Sequence, residues 1–273
     1  MPNMLKTQLD EAVKQIRSKT SAHPKLAIIL GSGLGPFAEE VQNPTTISTS
    51  SIPNYPPSTV EGHAGKWIFG DIEGKAILAM KGRVHSYEGY PLQKVTFPLQ
   101  LMAQLGIEKL IITNAAGGHN PRFAPGDLML ITDHINLMFD NPLIGPNELG
   151  SRFPDMCEPY NAELIALAEK AALDLGIKLQ KGVLAALKGP TYESAAEVKM
   201  LQRLGADAGT MSTVPEVIAA VSRGIKVLGI SCITNLGTGM SPDKLSHDEV
   251  TEVADKVKDK FSRLIREIIV KIA

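Results

Sequence analysis

Two spacings of apolar residues alternate along this chain. Leu5, Leu9, Val13 and Ile16 recur every three or four positions, which predicts an amphipathic helix over residues 5–18. Lys25 to Leu30 follows as a short apolar strand that stops abruptly at Gly31-Ser32-Gly33-Leu34-Gly35-Pro36. Residues 41–62, rich in Pro, Ser, Thr and Asn, read as irregular chain. Trp67 to Met80 carries a hairpin signal, Gly70-Asp71-Ile72-Glu73-Gly74, between two strand-like runs. A polar, glycine-bounded loop from Lys81 to Gly89 precedes a helix near 93–105 and a strand from Lys109 to Thr113.

The second half keeps this rhythm. A strand at Asp127 to Ile131 is followed by a long segment, 132–160, punctuated by Asn, Pro and Gly. Helix 161–175, strand 179–187, helix 195–204, a short segment 207–212, helix 214–223 and strand 225–232 come next. A last helix over about 247–271 places Val250, Val253, Val257, Phe261, Leu264 and Ile268 on one stripe. Ser194-x-x-Glu197, Thr213-x-x-Glu216 and Ser246-x-x-Glu249 fit capping boxes, in which a hydroxyl and a glutamate satisfy the first orphan amides of a helix. This order predicts a single α/β domain over residues 1–273, with a central twisted sheet, mostly parallel or mixed, flanked by helices and with ligands at the C-terminal ends of its strands.

Composition narrows the possible partners. The 273 residues carry a formal net charge of −1, and no basic run is dense enough to track a nucleic-acid backbone, so no nucleic-acid partner is expected. Cys157 and Cys232 are too few and too distant to suggest a disulfide scaffold or a zinc knuckle. The first sixteen residues mix charge with apolar positions, unlike a signal peptide, and no stretch is long and apolar enough to span a membrane. A reducing cytoplasm is the expected compartment.

Several loops could carry chemistry. Gly31 to Pro36 resembles a dinucleotide fingerprint, but its third glycine comes one position early and the Lys-Ser/Thr end of a triphosphate loop is absent. It is either a tight turn or a small anion nest with Ser32 as an added donor. In Gly82-Arg83-Val84-His85-Ser86-Tyr87-Glu88-Gly89, an extended chain would point Arg83, His85 and Tyr87 to one side, with Glu88 able to orient His85; a solvated polar loop is the alternative. Thr113-Asn114-Ala115-Ala116-Gly117-Gly118 fits an anion or ribose site and a close-packed turn equally well.

Gly189-Pro190-Thr191-Tyr192-Glu193-Ser194 sets an aromatic ring and a carboxylate before a helix, suited either to a planar base or to core filling and a favoured helix start. Met211-Ser212-Thr213 adds hydroxyls, and Ser231-Cys232-Ile233-Thr234-Asn235 ends a strand with an amide able to donate and accept. Cys232 reads as core, and His247 as an exposed residue at a helix start. Metal-ligand spacing and a Gly-x-Ser-x-Gly elbow are both absent. Phosphate donors without a protein nucleophile point to phosphate itself as the attacking group.

Together these segments resemble the trimeric, low-molecular-mass family of purine nucleoside phosphorylases, which act on 6-oxopurine nucleosides. The resemblance lies in GSGLG at 31–35, GRVHSYEGYPL at 82–92, TNAAGGHNPRFAPGD at 113–127, DHINLMFDNPLIGPN at 133–147, GPTYES at 189–194, GADAGTMSTVPEV at 205–217 and SCITN at 231–235. It implies a nucleoside phosphorylase fold, a homotrimer, and cleavage of inosine or guanosine by phosphate to a free base and α-(deoxy)ribose-1-phosphate in purine salvage. Inorganic phosphate would be a co-substrate, with no metal or organic cofactor.

By the same resemblance phosphate falls to Ser32, Arg83, His85, the Ala115 backbone and Ser212. The ribose falls to Tyr87, Met211 and His247, and the purine to Tyr192, Glu193 and Asn235, with Phe153 closing a neighbouring subunit's pocket. His85, Glu193 and Asn235 would be the catalytic residues. The chain departs from the animal pattern at Tyr192, where phenylalanine is usual, and at Leu236, where lysine is common. Members selective for methylthioadenosine are the alternative, and the Glu193–Asn235 pair speaks against them.

Overall fold

The strand Leu26–Leu30, β1, shares its side chains between two apolar cores. Ala27 and Ile29 pack with Leu9, Ile16, Leu99 and Met102, whereas Leu26, Ile28 and Leu30 pack with Phe261, Leu264 and Ile268. A strand buried on both faces must be apolar throughout, and LAIIL is. The computed structural model describes residues 4–59, 65–146, 149–241 and 247–272, with the backbone alone for 247–251 and 254.

Eight further strands join the sheet: β2 (Gln42–Ser48), β3 (Lys66–Ile72), β4 (Lys75–Lys81), β5 (Lys109–Gly118), β6 (Leu128–Asn136), β7 (Leu179–Ala186), β8 (Ala208–Thr210) and β9 (Lys226–Leu236). Their order is β2-β3-β4-β1-β5-β8-β7-β6-β9, and β9 pairs again with β5, so the last five strands close into a ring. β4, β1, β5 and β9 are parallel to their neighbours in that set, while β2–β3–β4, β5–β8 and β6–β9 are antiparallel. The chain is thus a single α/β domain with a mixed sheet between helices. Helices α1 (Met4–Arg17), α2 (Leu92–Val95), α3 (Phe97–Leu105) and α6 (Val214–Ser222) lie towards one face. Helices α4 (Ala162–Asp174) and α7 (His247–Ile272) pack together on the other, and α5 (Ala195–Arg203) covers the β7–β8 end. No described helix is long and apolar enough to cross a membrane.

Most of the expected elements form, with three corrections. Residues 42–48, read as irregular, are the edge strand β2, followed by a 3-10 turn at Thr49–Ser51. Only Ile47 of β2 is buried, so the apolar alternation that marks a strand is missing, and Pro44 is tolerated because β2 pairs on one side only. The helix near 93–105 breaks at Thr96, just before Pro98. Strands expected to end at Thr113, Ile131 and Cys232 continue to Gly118, Asn136 and Leu236, carrying their polar ends into the cleft described below. The capping boxes at Ser194 and Thr213 are present; the one proposed at Ser246 falls outside the described residues. Of the terminal stripe, Val257, Phe261, Leu264 and Ile268 are buried, while the Val250 side chain is outside the described residues.

Candidate active site

β5 changes partners along its length, and the gap between them opens a site. Residues 109–112 pair with β1 and residues 117–118 with β8, so 113–116 have a strand neighbour only in β9. Backbone groups on that free edge need other partners. The Thr113 carbonyl accepts from Arg83 Nη2 at 3.0 Å, and the Ala115 carbonyl from Thr210 Oγ1 at 3.2 Å. Since the N–H and C=O of one strand residue share an edge, the Ala115 N–H faces the same gap. A solvent-open cleft lies there.

Arg83 leaves the end of β4 and is buried. Its Nη1 donates to Ser212 Oγ at 2.9 Å and lies 3.4 Å from Thr213 Oγ1. On the far side Nε sits 3.5 Å from Glu216 Oε1, and the other Glu216 oxygen accepts from the Thr213 N–H at 2.9 Å. Glu216 therefore caps α6 and offsets the desolvation of the guanidinium at once. Thr213 adopts φ 71°, an uncommon conformation for a β-branched residue, while its Oγ1 accepts from Asn114 Nδ2 at 2.9 Å. Ser32, in the turn after β1, lines the same end of the cleft. That turn passes so close to β5 that a Cβ on Gly31 would stand 2.6 Å from Asn114 Cα, so only glycine fits.

His85 is held by Glu88. The carboxylate accepts the His85 N–H at 2.6 Å and lies 3.3 Å from Nδ1. Burial works to raise the Glu88 pKa, but hydrogen bonds from Thr59 and the His85 amide outweigh it and hold the carboxyl below its usual range. Tyr87 stacks on the imidazole, ring centroids 4.7 Å apart and planes 12° from parallel. Burial pushes the Tyr87 phenol up to about 12, so it stays protonated and can donate.

At the other end of the cleft stand Tyr192, Glu193, Thr234 and Asn235. Glu193 is half-buried, and burial raises its pKa above the usual range, with Glu197 adding to the effect. Thr234 Oγ1 donates to Asn235 Oδ1 at 2.9 Å, and Asn235 Nδ2 reaches the Leu236 carbonyl at 3.2 Å. A carboxylate acceptor, an amide donor and an aromatic ring thus line one cleft. A cationic and hydroxylic group of residues in the same cleft as an aromatic, amide and carboxylate group suits an anion and a heterocycle bound side by side.

Known proteins match this chain along nearly its whole length. Residues 25–270 match the profile of the phosphorylase superfamily. A purine nucleoside phosphorylase 1 of Bacillus subtilis is 53% identical over 267 residues, covering 97% of this chain and 98% of the relative. The chain belongs to the low-molecular-mass purine nucleoside phosphorylases. The enzyme of Bos taurus is 45% identical over 93% of this chain and 91% of its own length. Isoform 2 from Schistosoma mansoni, solved in complex with cytosine and ribose-1-phosphate, superposes with a TM-score of 0.93 at 41% identity, covering 98% of this chain and 97% of that one.

In this phosphorylase the residues singled out in the sequence mostly converge. Ser32, Arg83, His85, Tyr87, Ala115, Tyr192, Glu193, Met211, Ser212 and Asn235 all line the one cleft. Phe153 does not: it is 87% exposed, beside a separate cavity with His134, Asn141 and Arg152. The His247 backbone begins α7, but its side chain lies outside the described residues. Cys232 is buried in β9, and burial pushes its thiol up to about 12, as a core residue rather than a nucleophile requires. Among the described residues no cluster of three or more His, Cys, Asp or Glu could hold a metal. Sequence reasoning gives no site role to Asn114, Thr210, Thr234 or Glu216, the last read only as a helix cap; all four are buried and tie the named residues together. All four sit inside the motifs already quoted, and for Asn114, Thr210 and Thr234 a hydroxyl or amide on a strand was the available signal.

Proposed function

We propose that this phosphorylase splits inosine and guanosine, and their deoxy forms, with inorganic phosphate to a free purine and α-(deoxy)ribose-1-phosphate, in purine salvage in the cytoplasm. The observation that carries the reading is the pairing of the Arg83–Ser212–His85 end with the Glu193–Asn235 end in one cleft. Phosphate held by Ser32, Arg83, His85, the Ala115 N–H and Ser212 lies on the α face of the ribose. As the C1′–N9 bond stretches, its electron pair passes to the purine and positive charge builds on C1′ and the ring oxygen. A phosphate oxygen then bonds to C1′ from the opposite face, which inverts the anomeric centre.

The departing purine gains negative charge on its five-membered ring and O6. Asn235 Nδ2 donates to N7, leaving the Leu236 carbonyl to do so, and Glu193 accepts from N1–H and, in guanine, from the 2-amino group. Interactions that strengthen as charge develops lower the barrier rather than only tightening the ground state. Tyr87 and Met211 face the ribose, His247 its 5′-hydroxyl, and Tyr192 the base. Phe153 closes a neighbouring subunit's pocket in a homotrimer; its exposure on one chain supports that role. Two free cysteines, one exposed, suit a reducing compartment.

A steady-state panel of inosine, guanosine, adenosine and methylthioadenosine, with and without phosphate, tests the assignment. Phosphate-dependent turnover of the two 6-oxopurine nucleosides, with adenosine and methylthioadenosine slow, is expected. Preferential turnover of methylthioadenosine would overturn it.

A further inference from the structure

The last residue of β8, Thr210, lines the cleft with a buried hydroxyl placed between two parts of the phosphate end. Its Oγ1 lies 3.2 Å from the Ala115 carbonyl oxygen and 3.3 Å from Ser212 Oγ. Ser212 Oγ in turn accepts from Arg83 Nη1 at 2.9 Å and lies 3.1 Å from Thr213 Oγ1. We propose that Thr210 is a positioning residue for the phosphate co-substrate, holding the Ala115 peptide and the Ser212 hydroxyl in the arrangement that receives a phosphate oxygen.

Each hydroxyl has one proton and two lone pairs. The Ala115 carbonyl sits on the stretch of β5 that has lost β1 and not yet gained β8, so no strand on that edge can satisfy it. The Thr210 proton does so, which fixes the plane of the peptide and leaves the Thr210 lone pairs towards Ser212. With Arg83 donating to its oxygen, Ser212 keeps its own proton. That proton has Thr210 Oγ1 at 3.3 Å and Thr213 Oγ1 at 3.1 Å as acceptors, and turns to the anion when phosphate binds. Thr210 thus touches no reacting atom. It joins β5 to the segment between β8 and α6, whose separate motion would spread the Ala115 N–H, Ser212 and Arg83 apart.

This inference rests on the phosphate assignment made above, and the experiment separates the two. Initial rates are measured over a grid of phosphate and inosine concentrations for the wild-type enzyme, Thr210→Val and Thr210→Ser. Valine keeps the shape but removes the hydroxyl, leaving the Ala115 carbonyl unpaired, so the KM for phosphate should rise about 5- to 30-fold. The KM for inosine should stay within about twofold, and serine should restore the phosphate KM to within about threefold. Equal change in both KM values, or a serine variant as impaired as valine, would overturn the inference, since loss of packing alone acts that way. Should the valine variant not fold, alanine set against serine isolates the hydroxyl in a smaller side chain and is read by the same criteria. Wild-type turnover that ignores phosphate would sink the phosphate assignment itself, whatever the variants do.

Discussion

Thr234 Oγ1 donates to Asn235 Oδ1 across 2.9 Å, and this decides which end of the Asn235 amide is available to a base. With Oδ1 held by Thr234, it is Nδ2 that turns from the Leu236 carbonyl to the N7 acceptor of a purine. A 6-oxo group nearby is compatible with that donor, whereas the 6-amino group of adenine presents hydrogens. Glu193 reinforces the choice, because N1 carries a proton in hypoxanthine and guanine but not in adenine. Asn235→Asp should therefore depress 6-oxopurine turnover and narrow the inosine-to-adenosine ratio of kcat/KM by about tenfold or more, one to two mispaired buried groups being worth that much. Equal loss on both substrates would remove Asn235 as the reader of the 6-position.

Arg83→Ala should act at the other end. The guanidinium is buried against Glu216 and aimed at Ser212, so its removal withdraws a charged donor and strands a carboxylate. Use of phosphate should fall about 30- to 1,000-fold in kcat/KM, with purine binding far less affected. Parallel phosphate titrations and equilibrium binding of hypoxanthine measure the two effects separately.

The acid limb of activity should report Glu193. Its pKa is raised by burial, and only the ionised form accepts from N1–H, so kcat/KM for inosine should fall as pH drops, from a higher pH than an ordinary carboxyl would give. Glu193→Gln should lower kcat/KM throughout and flatten that limb. An acid limb of unchanged position in the glutamine variant would assign it to another group.

His119 offers a test of stability rather than activity. It is fully buried, neither ring nitrogen has a hydrogen-bond partner among the described residues, and burial pushes its pKa down to about 4. The unfolded chain takes up this proton near the ordinary value, about 6.5. Between those values the unfolded state binds more protons, so stability present above about pH 6.5 is lost as pH falls towards 4, by roughly 3 kcal/mol in full. His119→Leu should show a shallower fall of Tm with acid than the wild type; identical slopes would contradict the assignment.

If Phe153 completes a neighbour's pocket, activity should depend on assembly. An aromatic ring 87% exposed on one chain gains a role if a neighbour's nucleoside covers it. Phe153→Ala should raise the KM for inosine about 10- to 100-fold with the phosphate KM little changed, the range of a buried aromatic contact. Sedimentation and activity measured over one dilution series should fall together, and a fully active monomer would exclude shared pockets.

The helices and central strands were legible because burial on two faces writes continuous apolar runs, as in β1, and one-sided burial writes a stripe, as in α7. β2 was not, since an edge strand with one buried side chain has no such signature. The polar ends of β5 and β9 read as loops because their backbone partners are one strand and several side chains, a combination no local pattern announces. Ring closure through β5 and β9 is equally non-local. For the site, the residues that point into the cleft could be picked from motifs, but Thr210 and Glu216 could not: their importance lies in contacts with residues 95 and more than 130 positions away.

Phosphate acting as the attacking group from the Arg83 end must be consumed mole for mole with the nucleoside. Phosphorus NMR of a reaction with inosine and limiting phosphate, run beside a hypoxanthine assay, tests it most directly. One α-ribose-1-phosphate should appear, and one phosphate disappear, for each hypoxanthine released, with no release once phosphate is exhausted. Hypoxanthine release that continues in phosphate-free buffer, with free ribose as the sugar product, would contradict it.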